Sequence, residues 1–459
     1  MLTKEYINEI KLSGNGALAR AIENLKNSNN IAYFLENLGL LPEDFDGSLL
    51  LQFINHPNNN IRYWVVKNLG KLEDITYLLP LSKVAKEDPD SSVRREAVSS
   101  IGRMRNKINI PVLLEFLKDN DPKIIAQAIR GLLVFKGNVD VDSALKKLIE
   151  HPNEFVQQII QKEYFSKRSS QSHLPHYESY DFMKNVVVNG DVLDVLQIIP
   201  DESIHLTFTS PPYYNARDYS IYPSYKAYLQ FLKDVFEKVH RITKEGRFFI
   251  LNTSPIIIPR VSRQHSSKRY PIPFDIHPIL IEMGWEFIDD IVWLKPEASV
   301  KNRNAGFLQH RKPLAYKPNP VTEYLMVYRK KTDKLIDWNI RQYNYKIVKE
   351  SKVMGDYETS NVWSIDPTFD KNHSAVFPLE LCNRVIKFYS FKGDLVFDPF
   401  AGSGTLGLAA NNYGRYFFLT EKEEKYFQVI KRNLGNNSLF SNKEPRFFKL
   451  NEFKETINK

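Results

Sequence analysis

A single cysteine, Cys382, stands among 459 residues, so no disulfide can form within the chain and a reducing, cytoplasmic setting is expected. The ten histidines are scattered and never approach the Cys/His spacing of a zinc site, so no metal is expected. No run reaches the ~20 apolar residues that a membrane span needs. The opening stretch MLTKEYINEIKLSGNG lacks the apolar core of a signal peptide. Apolar residues at 42% and charged residues at 25% exclude wholesale disorder and describe a soluble globular protein of two or three domains.

The net charge of +9 suggests a polyanionic partner, and its distribution says where to look. Residues 1–165 hold 21 Lys or Arg and 21 Asp or Glu, a net of zero. Residues 256–349 hold 17 and 9, a net of +8. Nearly all the excess lies in this central segment.

The first third is repetitive. HPNNNIRYWVVKNLGKL (56–72), DPDSSVRREAVSSIGRM (88–104), DPKIIAQAIRGLLVFKG (121–137) and HPNEFVQQIIQKEYF (151–165) share one pattern: an Asp-Pro or His-Pro turn leading into an amphipathic helix. The prolines at 57, 89, 122 and 152 recur at the period of helical-hairpin repeats. Stretches such as IPVLLEFLKDN (110–120) supply the second helix of each pair. The pattern resembles HEAT repeats, which implies an all-α solenoid over 1–165. SKRSSQSHLPH (166–176), polar and aperiodic, reads as a linker.

Beyond it, short apolar strands alternate with helices. NVVVNGD (185–191), IHLTFTS (204–210), RFFILNTS (247–254), EFIDDIVWLK (286–295), EYLMVYRK (323–330), DLVFDPF (394–400) and YFFLTE (416–421) are the strand candidates. YKAYLQFLKDVFEKVHRIT (225–243) and PLELCNRVIKFYS (378–390) are amphipathic helices between them. Such alternation predicts an α/β fold with a mainly parallel sheet and ligands at the carboxyl ends of its strands.

Two such ends carry chemistry. In FDPFAGSGTLGLAA (397–410), Asp398 closes a strand, Gly402 and Gly404 permit a sharp turn close to a ligand, and a helix opens near Thr405. Glu421 follows about 20 residues on, at the next strand end, where a carboxylate can accept both ribose hydroxyls of a nucleoside-like cofactor. In TSPPYYN (209–215), the two prolines hold Ser210 and Pro211 extended and leave the Pro211 carbonyl without a ladder partner. That acceptor beside the Ser210 hydroxyl forms a fixed cradle for an –NH₂ group. Tyr213 adds a face on which an everted base can stack. Holding the protons of a nucleobase amine pushes its nitrogen toward tetrahedral geometry and frees the lone pair. With a sulfonium methyl held in line, catalysis reduces to positioning and electrostatics.

TSPPY together with DPFAGSGT resembles the S-adenosylmethionine-dependent DNA amino-methyltransferases. NGDVLDVLQIIPDESIHLTFTSPPY (189–213), NVWSI (361–365), HSAVFPLELCNRVI (373–386) and LTEKEEKYFQVIKRNL (419–434) agree with it, so the likeness covers about 180–435. With the catalytic strand ahead of the cofactor loop, the order is similar to the permuted β class. The resemblance implies a Rossmann-like methyltransferase fold, a mostly parallel seven-stranded sheet with helices on both faces. It implies catalytic roles for Ser210, Pro211, Pro212 and Tyr213, and a cofactor pocket lined by Asp398, Pro399, Phe400, Gly402, Gly404 and Thr405. Glu421 would hold the ribose and Asp191 lie near the adenine, while His373, Phe377 and Pro378 would close over the methionine end. Serine at 210 is the family's mark of cytosine-N4 methylation; adenine-N6 is the alternative. The expected partner is double-stranded DNA, methylated by base flipping at a specific sequence, as in a restriction–modification system.

The catalytic part then divides into 177–255, a target-recognition region at 256–349, a cofactor-binding part at 350–440 and a C-terminal tail at 441–459. PRVSRQHSSKRYP (259–271) and KPEASVKNRNAGFLQHRKPLAYKPNP (295–320) interleave basic, amide and aromatic residues. Arg260, Arg263, Lys268, Arg269, Lys301, Arg303, Arg311, Lys312 and Lys317 are the candidate DNA contacts, to phosphates or base edges. His240, His277 and Cys382 read as packing residues. Two other readings stand beside this one: the same chemistry on RNA or a protein amide, and a HEAT-repeat scaffold with an inactive catalytic half. For the repeats, docking a cognate restriction endonuclease, oligomerisation and clamping DNA are all open.

Overall fold

The computed structural model describes residues 2–41, 45–165, 174–214, 222–258, 264, 268–299, 313, 320–368, 377–435 and 444–457. The chain divides into two compact units, Met1–Ser169 and Ser170–Lys459.

In the first unit, helices Asn59–Lys71, Ser91–Arg103, Pro122–Leu133 and Glu154–Ile160 fall on the four repeats. All four start alike. Asn58, Asp90, Asp121 and Asn153 are extended, and each side chain accepts the N–H two residues on, at 2.9, 2.8, 2.9 and 3.1 Å. Each such cap stabilises its helix by about 1 kcal/mol. The proline of the repeat either precedes the cap or, as Pro122, opens the helix, where its missing N–H costs nothing.

Arginines of one repeat reach the cap loop of the next. Arg62 forks onto Asp88 at 2.7 and 2.9 Å, Arg95 meets Asp121 at 2.7 Å, and Arg94 pairs with Asp119. Acidic and basic residues are thus matched within the stack, which accounts for part of the balanced charge. Between helices, a Cβ on Gly102 would lie 2.9 Å from the Gly131 Cα, so these backbones touch.

Among its described residues the second unit has eleven strands: β1 (Val186–Asn189), β2 (Ile204–Thr209), β3 (Thr243–Thr253), β4 (Ile256–Ile258), β5 (Lys268–Tyr270), β6 (Trp285–Leu294), β7 (Thr322–Lys330), β8 (Val362–Ser364), β9 (Leu395–Asp398), β10 (Tyr416–Glu421) and β11 (Arg446–Lys449). Nine form one sheet in the order β11-β1-β10-β9-β2-β3-β7-β6-β8, and β4 pairs with β5 alone. All pairings in the large sheet are parallel except those of β7 with β3 and β6. The sheet has nine strands rather than the expected seven. The seven sequence candidates are all present; the additions are β8 and β11, edge strands of three and four residues, too short to show a period. The segment read as a tail supplies β11 and the helix Leu450–Ile457.

Helices cover both faces because the central strands are apolar on both. Val186, Val188, Phe249, Leu251, Phe397 and Phe418 face one core, which includes helices Val192–Ile198, Tyr225–Ile242 and Ile272–Glu282. Val187, Leu206, Phe208, Ile250, Val396 and Phe417 face the other, with helices Leu379–Tyr389, Thr405–Asn412 and Glu424–Gly435.

Gly102→Val is expected to part the two touching helices and cost the repeat unit about 1–3 kcal/mol. Urea unfolding followed by circular dichroism checks this, and an unchanged transition would refute the close packing.

Candidate active site

The carboxyl ends of β1, β10, β9 and β2 lie on one edge of the sheet, and each carries a residue singled out from sequence. β2 is buried throughout and pairs in parallel with β9, Leu206 beside Val396 and Thr207 beside Phe397. Ser210 continues β2, and Pro399 to Gly402 continue β9. The two ends are joined side chain to side chain: the Thr209 hydroxyl donates to Asp398 Oδ1 at 2.6 Å. The same oxygen accepts the Phe400 N–H at 3.0 Å, which starts the turn. Gly402 and Gly404 are both left-handed, at φ 54° and 79°. Even a Cβ on Gly404 would meet Ile430 at 2.9 Å, so this position admits no larger residue without movement. Asn433 donates to the Ser403 carbonyl at 3.0 Å and pins the loop to the following helix.

Glu421 closes the pocket from β10. Its two oxygens accept the Gly402 N–H at 2.9 Å and the Glu423 N–H at 2.8 Å. Asp398 and Glu421 are only 2% and 9% exposed. Burial pushes both carboxyls up to about 7, against the opposing pull of the hydroxyl and N–H groups they accept. A pair of sheltered carboxylates with spare lone pairs, beside a glycine turn and a helix start, fits a ligand that brings hydroxyl donors and positive charge. A nucleoside carrying a sulfonium centre has both.

Asp191 caps the helix Val192–Ile198 through the Leu193 N–H at 3.0 Å and pairs with Lys422 at 3.1 Å. It lies just past β1, whose Asn189 is in register with Glu421. Phe377 stacks on Phe208, ring centroids 4.6 Å apart, and Pro378 precedes the helix Leu379–Tyr389 as its cap. His373 lies outside the described residues, as do Arg260, Arg263, Lys301, Arg303, Arg311, Lys312 and Lys317. Lys268 and Arg269 are exposed on β5.

Sequence reasoning missed the support around the Ser-Pro-Pro-Tyr turn. Tyr214 packs against Tyr225, Tyr228 and Tyr270 with centroids at 5.4, 5.7 and 5.0 Å, an aromatic anchor for the loop. The tyrosines at 222, 225 and 228, three apart on or next to one helix, were a readable signal of it. The Tyr213 hydroxyl donates to Glu323 at 3.3 Å, and burial, with the Glu323 charge second, pushes its pKa well up, so it stays protonated. Nothing local in the sequence marks Glu323.

Comparison with known proteins identifies the family. A sequence model of DNA methylases matches residues 204–432. The type II methyltransferase M.ScaI of Streptomyces caespitosus is 30% identical over 271 residues, covering 56% of this chain and 82% of its own. The chain belongs to the DNA methylase family. A second relative of this methylase, the type II methyltransferase M.BglII of Bacillus subtilis, is 26% identical over 285 residues, covering 59% of this chain and 76% of that one. Among solved structures, a putative DNA modification methylase from Thermus thermophilus aligns at 24% identity and a TM-score of 0.46, over 58% of this chain and 99% of its own. In the N-terminal unit of the methylase, a model of HEAT repeats matches residues 78–162.

The raised carboxyls set a pH test on the ligand-free methylase. Below pH 4 Glu421 is protonated in both folded and unfolded chains; between there and pH 7 only the folded chain holds the proton, so the native state loses stability as pH rises. Glu421→Gln removes that dependence. From pH 5.5 to 8 its unfolding free energy should gain on the parent's by about 2 kcal/mol, measured by denaturant unfolding at both pH values; a constant difference would contradict the burial argument.

Proposed function

We propose that this methylase transfers a methyl group from S-adenosylmethionine to the exocyclic N4 of cytosine in double-stranded DNA, at a specific sequence, as the modification enzyme of a restriction–modification system. The observation that carries the reading is the Thr209–Asp398 hydrogen bond: it fastens the amine cradle of β2 to the glycine turn of β9 at one sheet edge. The type II relatives support the restriction–modification context.

The cofactor supplies an electrophilic sulfonium methyl. Glu421 would hold its ribose hydroxyls, Asp191 its base, and the Pro399–Gly404 turn, with Phe400 and the N–H groups near Thr405, the rest of it. The target base leaves the duplex and stacks on Tyr213. The Ser210 hydroxyl and Pro211 carbonyl each accept one N–H of the exocyclic amine, which localises its lone pair toward the methyl donor. Pro212 keeps the cradle rigid, so little reorganisation is needed at the moment of reaction. After transfer, the surplus proton on nitrogen departs through the Ser210 hydroxyl toward water. No covalent enzyme intermediate is required. Serine at 210 favours cytosine N4 over adenine N6 as the target.

Lys268 and Arg269, exposed on β5, are the described basic residues offered to DNA, and segment 300–317 is basic in sequence. The repeat unit is the part available to a cognate endonuclease.

The deciding experiment incubates the protein with labelled S-adenosylmethionine and plasmid DNA, tRNA or bulk protein, then digests the labelled product. N4-methylcytosine from DNA alone is expected; N6-methyladenine would overturn the choice of base, and label in RNA or protein the choice of substrate. Pro211→Ala and Tyr213→Ala should each lower kcat about 100-fold or more while calorimetry still finds the cofactor bound. Reversing Lys268 and Arg269 to Glu should weaken DNA binding and flatten its salt slope by about 0.9 for each phosphate no longer neutralised, read by fluorescence anisotropy across a salt series.

A further inference from the structure

Segment 296–321 leaves the sheet after β6 and returns at the start of β7, and its two stems are joined. The Lys295 N–H donates to the Val321 carbonyl at 2.9 Å, and the Lys295 ammonium forms an ion pair with Glu323. Lys295 also lies over the Trp293 ring, 4.3 Å from its centroid, which fixes the ammonium from behind. Both charged side chains are 16% exposed, so water screens the pair little. Glu323 Oε1 takes the lysine, and Oε2 accepts the Tyr213 hydroxyl at 3.3 Å. One carboxylate therefore holds the root of the basic insertion and the aromatic ring of the Ser-Pro-Pro-Tyr turn.

We infer that Glu323 is a positioning residue, fixing the Tyr213 ring at the angle that stacks on the target base and linking that angle to the stem of segment 296–321. This rests on Tyr213 being the stacking group. A tyrosine on a loop has several rotamers, only some of which present its face to an incoming base. A hydrogen bond to an ionised acceptor selects one of them, and Lys295 in turn selects the rotamer of the acceptor. The Ser254 and Ser210 hydroxyls also meet the Tyr213 oxygen, but Glu323 is the partner that carries a displacement of the stem to the ring.

The test compares Tyr213→Phe, Glu323→Ala, Glu323→Gln and the double variant Tyr213→Phe/Glu323→Ala, by labelled methyl transfer to plasmid DNA, cofactor calorimetry and thermal melting. Tyr213→Phe and Glu323→Ala should each lower kcat about tenfold and leave cofactor affinity unchanged. The double variant should be no slower than the slower single one, because both remove the same tether. Glu323→Gln, which can still accept the hydroxyl but not pair with Lys295, should fall between parent and Ala. Parental kcat in Tyr213→Phe, or losses that multiply in the double variant, would overturn the proposal. Melting reads the tether without activity: the double variant should melt no lower than Glu323→Ala, and additive lowering would also overturn it. If Tyr213→Ala itself retains turnover, the stacking reading fails; if Tyr213→Ala is inactive and Tyr213→Phe is fully active, only the tether is lost.

Discussion

The hydrogen bond from Thr209 to Asp398 spans 189 residues of sequence and lies in the interior, where an unmet carboxylate oxygen would be costly. It exists because β2 and β9 are parallel neighbours at the centre of the sheet, buried on both faces. Any slip of one strand by a residue would turn every side chain of that strand to the opposite face. The apolar residues on both sides of β2 and β9 therefore hold the register. With the register held, the Ser-Pro-Pro-Tyr turn and the glycine turn leave the sheet from adjacent strands. The chemistry of the site follows from that adjacency.

The same burial sets the electrostatics. Asp398 and Glu421 are buried, and burial outweighs the hydroxyl and N–H groups that their oxygens accept. Two carboxyls held against ionisation are an unfavourable arrangement, which a cationic ligand with hydroxyl groups relieves. Local stability is given up at a functional site and recovered on binding, a common division between scaffold and site. The far end of the sheet shows the contrast: Asp394, fully buried, is matched by Arg247 and Tyr343, and that carboxyl is held below its usual range despite burial.

The parts legible in the sequence were those written in consecutive residues. Seven apolar runs gave seven strands, and the Asp-Pro and His-Pro turns marked the repeat helices, since a cap and its helix are neighbours in the chain. The turn at Gly402 and Gly404 could be read because each glycine acts through its own backbone. The contacts that were missed join distant segments. Glu323 is 110 residues from Tyr213, and neither has a local pattern that names the other. β8 and β11 escaped notice because a strand of three or four residues at a sheet edge is defined by its neighbour, not by its own periodicity. Tyr214 lay in view, but that its ring anchors the loop shows only in its packing against Tyr225, Tyr228 and Tyr270.

The joined stems at Lys295 and Val321 also bear on how such enzymes diverge. A chain excursion that departs and returns through bonded neighbours can lengthen or change composition at an entropic cost that grows only with the logarithm of its length. The sheet beneath would not register the exchange. On the proposed reading of that segment as the target reader, relatives built on this plan could diverge in what they read while keeping one catalytic centre, by replacing a single excursion.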